Sequence, residues 1–372
     1  MILPGQTIGI IGGGQLGRMM AIEAKYMGYQ VVVLDPTPDC PTAQVSDDQI
    51  VANYDDLEAI KKLTEVSDVV TYEFENVDLQ AARYIEEQGK LPQRADLLKI
   101  TQNRDQEKNT MKELQIPVSP FLVITKESEV ESALASIGYP AVIKTCQGGY
   151  DGKGQLKIDS EEDIAAVKQF MTETGQRYII EKWVDFDKEI SVVLTRNFEG
   201  EIQFFPIAEN SHKDHILDET IAPAIISDQL MESALEAAEK IATHLQVVGS
   251  FAIEMFVKAD EIYINEMAPR PHNSGHYTIE ACNVNQFDQH IRAVCGLALH
   301  EVHLQELAFM KNILGEDLPA LLEEMPSLET GYVHLYGKAE VKEKRKMGHV
   351  TFIAQTEDER KQMIRQFREA LG

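Results

Sequence analysis

The sequence predicts an α/β (α+β) protein of several packed units, the first of which is built on a parallel, doubly wound sheet. The chain has 372 residues, more than a single hydrophobic core of ordinary size would hold. Residues 1–100 alternate short apolar runs with helical patterns, an order typical of parallel strands covered by helices. From about residue 185 onwards β-patterned runs become frequent, which predicts further strands.

The predicted elements divide the chain into three units. The first, residues 1–100, holds strands at 7–11, 30–34 and 69–72, with helices at 17–27 and about 54–64. The second, residues 101–184, takes in most of a long helix at about 94–114, then strands at 121–124, 141–145 and 178–181, and helices at 128–137 and 160–172. The third, residues 185–372, holds β-runs at 189–195 and 202–206, a helix at 228–245, a hairpin at 251–267, a β-rich tail at 331–353 and a final helix.

Composition and charge exclude several classes of partner. A formal net charge of −26 argues against a nucleic-acid or anionic-membrane partner, because both require a basic surface. The N-terminus shows no basic leader before an apolar stretch, and no apolar run approaches the ~20 residues that span a bilayer. The four cysteines lack C-x-x-C spacing, as in a reduced cytosolic protein. We therefore expect a cytoplasmic protein with small-molecule substrates.

The first glycine-rich segment fits a phosphate-binding loop. Residues 12–17, Gly-Gly-Gly-Gln-Leu-Gly, match G-x-G-x-x-G between a predicted strand and helix, and Asp35 ends the next strand. Glycines let the backbone approach a ligand, and the helix N-terminus attracts an anion. Three interpretations stay open at this point: a nicotinamide dinucleotide site, a purely structural turn, and a site for another anionic ligand.

A second glycine-rich segment follows the strand at 141–144. The run 147–154, Gln-Gly-Gly-Tyr-Asp-Gly-Lys-Gly, would let backbone amides approach phosphate oxygens, and Lys144 would supply a fixed positive charge. It is not a Walker loop, because no Gly-Lys-Ser/Thr opens a helix. The alternative is a flexible hairpin tip with a solvated lysine.

Two glutamates lie on the predicted hairpin. A three-residue turn at 259–261 sets Glu254 opposite Glu266, with Cβ atoms ~5 Å apart. Carboxylates at this spacing repel unless a cation neutralises them, and Mg²⁺ beside nucleotide phosphates prefers such ligands. Asn265 points to the other face of a regular strand, and would join the metal only through a bulge. Solvated surface glutamates are the alternative, against which the apolar neighbours argue.

Polar side chains are concentrated directly after this hairpin. The segment 268–276 reads Ala-Pro-Arg-Pro-His-Asn-Ser-Gly-His, in which two prolines restrict the backbone. Arg270, His272, Asn273 and His276 therefore stand next to the predicted metal site. A single histidine is more often structural than functional, but this concentration of polar residues favours a functional segment.

Taken together, the motifs resemble those of the ATP-grasp superfamily. The matching elements, in order, are Lys144, the glycine-rich loop, Glu181-Lys182-Trp183-Val184, Glu189 and the hairpin with Glu254 and Asn265-Glu266. Further segments resemble the family of 5-(carboxyamino)imidazole ribonucleotide synthases, namely residues 12–17, 72–76, 268–276, 336–338 and 345–349. The resemblance covers essentially the whole chain in collinear order. It implies an ATP-grasp fold with an N-terminal Rossmann-like domain, a lid domain and a C-terminal domain.

The resemblance also implies roles for individual residues. It places ATP against Arg104, Lys144, Gly149, Tyr150, Asp151, Gly152, Lys153, Gly154, Gln155, Glu181, Lys182, Trp183, Val184, Glu189, His212, Asn265 and Glu266. It places Mg²⁺ on Glu254 and Glu266, and the imidazole ribonucleotide against Gln15, Leu16, Glu75, Asn273, Lys338 and Arg345. The stretch 338–346 is rich in lysine and lacks the family's proline, so Lys342, Lys344, Arg345 and Lys346 all stay candidates for the substrate phosphate.

The implied reaction is ATP-dependent carboxylation of aminoimidazole ribonucleotide by bicarbonate through carboxyphosphate. Lys144 and Arg270 would neutralise charge at the transferred phosphoryl group. His272 would accept the amine proton, because imidazole titrates near neutral pH. The alternatives are a formate-dependent glycinamide ribonucleotide transformylase, a biotin carboxylase, an NAD(P)-binding protein and a nucleotide-binding regulator without turnover. The family suggests a homodimer.

Overall fold

Three β-sheets organise the chain. The computed structural model describes residues 1–148, 154–174 and 177–371. Each sheet draws its strands from one continuous stretch of sequence, so the sheets follow one another along the chain. None of the helices in these described ranges is both long and apolar enough to cross a membrane.

The first sheet is parallel, as predicted. Its four strands run in the order β3-β2-β1-β4. Their bounds are β1 Thr7–Ile11, β2 Gln30–Leu34, β3 Asp48–Ile50 and β4 Val69–Tyr72. Ile8, Ile10, Val31 and Val33 are fully buried, because helices cover both faces of a parallel sheet. The strands predicted at 7–11, 30–34 and 69–72 are therefore confirmed.

The second sheet is antiparallel, with the strand order β5-β8-β6-β7. Its strands are β5 Phe121–Ile124, β6 Ala141–Thr145, β7 Gln155–Ile158 and β8 Tyr178–Lys182. Lys144 and Glu181 stand near the ends of neighbouring strands β6 and β8, which brings their side chains to the same edge of this sheet.

The third sheet is the largest and is antiparallel. Its main path is β14-β13-β9-β11-β12-β15-β17-β16, and β10 pairs with β9. The strands are β9 Lys188–Arg196, β10 Ile202–Phe204, β11 Ala208–Lys213, β12 Ile216–Ala222, β13 Gly249–Lys258, β14 Glu261–Ala268, β15 Leu307–Leu314, β16 Tyr332–Leu335 and β17 Lys346–Ala354. This sheet carries the predicted metal hairpin on β13 and β14.

Twelve α-helices of the described ranges pack on these sheets. They are α1 Gln15–Tyr26, α2 Leu57–Val66, α3 Leu79–Glu87, α4 Ala95–Thr101, α5 Arg104–Glu113, α6 Val130–Ile137, α7 Ile164–Thr174, α8 Asp228–His244, α9 Thr278–Ala281, α10 Gln286–Cys295, α11 Leu318–Glu324 and α12 Glu357–Leu371. The amphipathic helix α8 buries Leu230, Ala234, Ala238 and Ile241 in the core beneath β9, β13 and β14, a spacing of three to four residues.

The single long helix predicted at 94–114 is wrong, because the structure has two helices there. The break falls at Gln102 and Asn103, and the Asn103 side chain accepts a hydrogen bond from Asp105 N at 3.0 Å. Asparagine satisfies an otherwise unpaired N–H at a helix start, so it begins α5 instead of continuing α4. The break makes Arg104 the first residue of α5 and places Lys108 one turn later on the same helix.

Candidate active site

A cavity of about 1060 Å³ is lined by residues of the second and third sheets, of α1 and of the segment after β4, and most of the predicted site residues line it. The predicted residues that line it are Gln15, Leu16, Glu75, Arg104, Lys144, Gln155, Glu181, Lys182, Trp183, Val184, Glu189, His212, Glu254, Asn265, Glu266, Arg270, His272 and Asn273. Among the described residues, Gly154, Lys338 and Arg345 are not part of its lining. The predicted residues Gly149, Tyr150, Asp151, Gly152 and Lys153 lie outside the described ranges.

The hairpin pairs Glu254 with Glu266, as predicted, but for a different reason. Lys258 pairs with Glu261, so the turn has two residues and the predicted three-residue turn is wrong. A register shift follows between Glu254 and Met255, which leaves Asn265 as the extra residue of a bulge on β14. The bulge restores the pairing that the shorter turn would have lost. It also meets the condition under which Asn265 could join the two glutamates.

Each glutamate of this pair has a basic neighbour. Glu254 Oε1 is 3.2 Å from His272 Nε2, and Glu266 Oε2 is 3.2 Å from Arg104 Nη1. Burial alone would raise the pKa of Glu254, but the hydrogen bond with His272 lowers it to about 2. The carboxylate is therefore ionised at neutral pH, as a ligand of a hard cation must be.

The fit of Mg²⁺ to this site is incomplete without a substrate. Within residues 1–148, 154–174 and 177–371, no group of three or more His, Cys, Asp or Glu side chains is arranged to hold a metal ion. Mg²⁺ commonly binds through one or two carboxylates and completes its coordination with substrate phosphates and water. Glu254, Glu266 and the bulged Asn265 suit that mode and do not suit a metal cage built from protein alone.

A buried charge cluster lies on the side of the cavity formed by the second sheet. Glu181 Oε1 is 3.4 Å from Lys144 Nζ, and Glu181 Oε2 is 3.4 Å from Lys108 Nζ. Burial opposes ionisation of Glu181, but Lys108, Lys144 and Arg104 lower its pKa to about 2. Lys108, 2% exposed, also donates to Ile264 O at 2.9 Å on β14. It thus connects the second sheet to the third.

Sequence reasoning missed Lys108 and its neighbour Glu107. Glu107 lines the cavity, accepts a hydrogen bond from Met267 N at 3.2 Å, and is 5% exposed. Burial and the nearby charge of Glu266 raise the pKa of Glu107 to about 8, although Arg104 opposes this shift. The available signal was the spacing of four residues from Arg104 to Lys108, which places both cations on one helix face.

The first glycine-rich loop is already occupied by a side chain of the protein. The Glu73 carboxylate accepts hydrogen bonds from Gly14 N and, at 2.8 Å, from Gly17 N. It therefore fills the anion position at the start of α1, where a dinucleotide pyrophosphate would bind. Asp35 is 6% exposed and accepts from Gly13 N at 2.7 Å and Tyr54 Oη at 2.6 Å. Both features argue against the nicotinamide interpretation.

Glu75, two residues after Glu73, faces the cavity instead. It accepts a hydrogen bond from Arg270 Nε at 2.7 Å, joining the first sheet to the segment that follows the metal hairpin. Burial would raise the pKa of Glu75, but the Arg270 guanidinium lowers it below its usual value. Asn273, also in that segment, exchanges hydrogen bonds with the buried Asn312. His276 is fully buried and does not line the cavity, as expected of a structural histidine.

At the third-sheet side of the cavity, His212 and Glu189 form a pair that the sequence assigned to separate tasks. His212 Nδ1 is 2.7 Å from Glu189 Oε2. Burial lowers the pKa of His212, but Glu189 raises it above its usual value.

In the lysine-rich stretch, Lys346 lines the cavity. Arg345 donates to Glu340 O at 2.8 Å, and Lys338 donates to Lys346 O at 2.7 Å. Of the four candidates for the substrate phosphate, Lys346 is therefore the one that the structure places on the cavity wall.

His272 is held by both its main chain and its ring. The buried Gln286 accepts from His272 N at 2.8 Å and donates to His272 O at 2.7 Å. Ser274 N donates to His272 Nδ1 at 3.3 Å. A nitrogen that accepts a hydrogen bond carries a lone pair, so in neutral imidazole the proton is on Nε2, the atom facing Glu254. The role of His272 as acceptor of the amine proton stays a prediction.

Three family models match the chain in succession. Residues 5–102 match the ribonucleotide synthetase preATP-grasp domain, residues 109–287 the ATP-grasp domain, and residues 308–363 the phosphoribosylaminoimidazole carboxylase C-terminal domain. The chain is 47% identical over 363 residues to the N5-carboxyaminoimidazole ribonucleotide synthase of Bacillus subtilis, covering 96% of this chain and 94% of that protein.

Solved structures are similar over the whole fold. The Staphylococcus aureus N5-carboxyaminoimidazole synthetase complexed with ADP has a TM-score of 0.94 and 41% identity, covering 100% of this chain and 98% of that chain. The Aspergillus clavatus N5-carboxyaminoimidazole synthase complexed with ADP and 5-aminoimidazole ribonucleotide has a TM-score of 0.91 and 30% identity, covering 98% of each chain.

Proposed function

This chain belongs to the N5-carboxyaminoimidazole ribonucleotide synthase family of ATP-grasp enzymes, and we propose that the cavity between its three sheets binds ATP, bicarbonate and aminoimidazole ribonucleotide together. The enzyme is an ATP-dependent ligase that carboxylates aminoimidazole ribonucleotide in purine biosynthesis. The finer proposal concerns bicarbonate, its activation as carboxyphosphate, the metal ion and the residues that carry each task.

The observation that carries the proposal is the convergence of three groups in one cavity. These are the carboxylate pair of Glu254 and Glu266, the partly buried cations Lys144 and Arg104, and Glu75 with Arg270. A phosphate-rich nucleotide needs the first two groups, and a second substrate facing the first sheet needs the third.

ATP is proposed to lie between the second and third sheets. Lys144 is held at the strand end by Glu181, so its charge is already positioned when the phosphates arrive. Glu181, Lys182, Trp183 and Val184 line the same side and would hold adenine. Glu189, restrained by His212, would accept hydrogen bonds from the ribose hydroxyls.

Glu254, Glu266 and Asn265 are proposed to hold Mg²⁺ with the nucleotide phosphates. The bound ion would neutralise negative charge on the transferred phosphoryl group. Arg104 Nη1 lies 3.2 Å from Glu266 Oε2 and His272 Nε2 lies 3.2 Å from Glu254 Oε1, so both carboxylates are already restrained before a ligand arrives.

The bicarbonate and amine are proposed to meet beside Arg270. Its guanidinium is fixed by Glu75 and presents its remaining N–H groups to an anion such as bicarbonate or carboxyphosphate. Carboxyphosphate hydrolyses readily, so water must be excluded while it exists, which is the task of a closing lid. Gln15, Leu16 and Glu75 would receive the ribonucleotide, with Asn273 beside them, and Lys346 would join the predicted Lys338 and Arg345 near its phosphate.

The test is ADP release with ATP, Mg²⁺ and bicarbonate, with and without aminoimidazole ribonucleotide. A parallel reaction contains glycinamide ribonucleotide and formate. We expect stimulation by the imidazole nucleotide and by bicarbonate. If only glycinamide ribonucleotide with formate stimulates ADP release, the protein is a formate-dependent transformylase. If turnover does not require bicarbonate, the carboxyphosphate route is wrong.

The oligomeric state and location are also part of the proposal. We propose a cytoplasmic homodimer, as the family resemblance implies. Light scattering of the purified protein measures its mass against the 41.8 kDa of one chain. A mass of one chain at all concentrations would contradict the dimer.

A further inference from the structure

We infer that a buried chain of side-chain hydrogen bonds holds His272 in a single tautomer, with its proton on Nε2, so that the ring donates into the cavity. The members of the chain are Thr220, Asn210, Ser191 and Ser274. The inference rests on the proposed function in taking His272 as a group that faces the reacting substrates. Ser274 contacts His272, and Ser191, Asn210 and Thr220 follow it in series. All four act on the reaction through His272 as positioning residues.

The first argument concerns Nδ1 of the ring. The main-chain N–H of Ser274 lies 3.3 Å from this nitrogen, and a main-chain N–H can only donate. Ser274 Oγ lies 2.8 Å from the same atom. Nδ1 must therefore carry a lone pair, and the single proton of a neutral imidazole is on Nε2.

The second argument is the direction of the chain. Thr220 Oγ1 donates to Asn210 Oδ1 at 3.0 Å, and Asn210 Nδ2 donates to Ser191 Oγ at 3.0 Å. Ser191 Oγ then donates to Ser274 Oγ at 2.7 Å. A serine hydroxyl has one proton and two lone pairs, so Ser274 receives from Ser191 and has its own proton left for His272 Nδ1.

The third argument is burial. Thr220, Ser191 and Ser274 are 0% exposed and Asn210 is 8% exposed. In such surroundings an unpaired donor or acceptor is costly, so reversing one bond without the others is unfavourable. Because Ser274 N already makes Nδ1 an acceptor, Ser274 Oγ must donate to it, and the rest of the chain can be satisfied in one direction only.

The main chain of His272 is fixed as well, so the tautomer has a definite geometric result. Gln286, 0% exposed, binds both His272 N and His272 O through its amide. With the backbone and Nδ1 both held, Nε2 lies 3.2 Å from Glu254 Oε1. The Nε2–H bond is directed at oxygen, either that of Glu254 or that of an anionic substrate in its place. In this tautomer the ring stabilises negative charge and does not receive a proton at Nε2.

The direct test is the ¹⁵N spectrum of protein labelled only at histidine. The chain has ten histidines, and His272→Asn identifies the pair of ring signals that belongs to His272. We expect Nδ1 to resonate as a bare nitrogen and Nε2 as a protonated one. A protonated Nδ1 would overturn the inference. Because no substrate is present, this result is independent of whether ADP release requires aminoimidazole ribonucleotide.

Asn210→Asp tests the chain itself. An aspartate of the same shape cannot donate, so Ser191 would turn to donate to it and Ser274 would turn to donate to Ser191. His272 Nδ1 would lose its hydroxyl donor. We expect the two ring signals to move towards each other and kcat to fall on the order of tenfold to a hundredfold, with KM for ATP within about twofold. Unchanged ring signals would show that the chain does not set the tautomer.

Two further variants keep the test decisive if that aspartate prevents folding. Ser274→Ala removes the hydroxyl donor and leaves only the longer main-chain contact, so the ring signals should again shift, with a several-fold lower kcat. The matched control is Thr195→Val. Thr195 is on β9, as Ser191 is, and its buried hydroxyl lies 2.9 Å from Ser250 Oγ and is not part of the hydrogen-bond chain. It should leave both kcat and the ring signals unchanged. Equal behaviour of Ser274→Ala and this control would overturn the role of the chain.

Discussion

Lys108→Met removes the buried cation that connects the second sheet to the third. The Lys108 ammonium donates to Ile264 O on β14 at 2.9 Å and lies 3.4 Å from Glu181 Oε2 on β8. Methionine has a similar length and fills the space without forming a cavity, so the variant isolates the loss of the charge and of its donors.

The size of the effect follows from the contacts that remain. Removing one partner of a buried ion pair costs about 3–5 kcal/mol when the other charge is left uncompensated. Here Glu181 keeps Lys144 at 3.4 Å. Moving the pKa of Glu181 from 4.5 to about 2 corresponds to about 3 kcal/mol, and because burial opposes this shift, its cations together contribute at least that much. Lys108 is the largest of three cationic contributions, hence at least about 1 kcal/mol, and the hydrogen bond to Ile264 O adds about 1 kcal/mol. We expect a loss of at least about 2 kcal/mol.

Urea unfolding followed by circular dichroism and by tryptophan fluorescence measures this loss. Trp183 is the only tryptophan in the sequence and lines the cavity next to β8, so its emission reports the second sheet. Lys112→Met is the matched control, because Lys112 is on the same helix but exposed, with its ammonium 3.9 Å from the Phe121 ring centroid. If both variants unfold within about 0.5 kcal/mol of each other, the argument from burial is refuted.

The pH dependence gives a second measurement on the same variant. The folded pKa of Glu181 lies below the unfolded one, so its contribution is complete above pH 4.5 and is lost as the pH falls towards 2. The difference between Lys108→Met and the parent protein should therefore shrink as the pH falls from 4.5 towards 2, and approach the contribution of about 1 kcal/mol from the hydrogen bond to Ile264 O. A difference that grows in acid would contradict this.

Three further predictions concern the metal pair, the first glycine-rich loop and the support of His272. Glu254→Gln and Glu266→Gln should each abolish ATP turnover without lowering the melting temperature of the ligand-free protein. Neither variant should show the rise in melting temperature that Mg-ADP gives the parent protein, and retained turnover would contradict the metal assignment. Glu73→Ala should lower the free energy of unfolding by about 2 kcal/mol, because Gly14 N and Gly17 N lose their acceptor. Fluorescence titration with NADH should show no binding to either the parent protein or this variant. Gly275→Ala places a Cβ 2.6 Å from Gln286 Oε1, so it should displace the amide from His272 and lower kcat about tenfold with little change in KM for ATP; full kcat in steady-state assays would contradict this.

Local patterns in the sequence were sufficient for most of the elements around the site. The strands at 7–11, 30–34, 69–72, 121–124 and 141–145 match their predicted bounds, because buried strands are marked by short apolar runs between turns. The order of chemical motifs likewise predicted which residues line the cavity. The long helix at 94–114 failed because helical periodicity continued across Asn103, which caps a new helix.

Glu73 and Glu75 show where local information ends. The two residues are equivalent in type and lie on one short segment, yet Glu73 binds the loop amides of the first sheet and Glu75 binds Arg270. Their directions depend on how α1 and the 268–276 segment pack against β4, which no local pattern records. Lys108 is a similar case, because a lysine on a polar helix looks solvated until the third sheet covers it.

By itself, then, the sequence determined the order of strands and helices, the family and most of the residues around the cavity, since periodicity and motif spacing are properties of neighbours along the chain. Only the tertiary structure decided that a bulge at Asn265 pairs Glu254 with Glu266, that Glu73 fills the first glycine-rich loop, and that Gln286 holds the main chain of His272. Each of these depends on hydrogen bonds between segments distant in sequence, and their partners become known only when the sheets have packed.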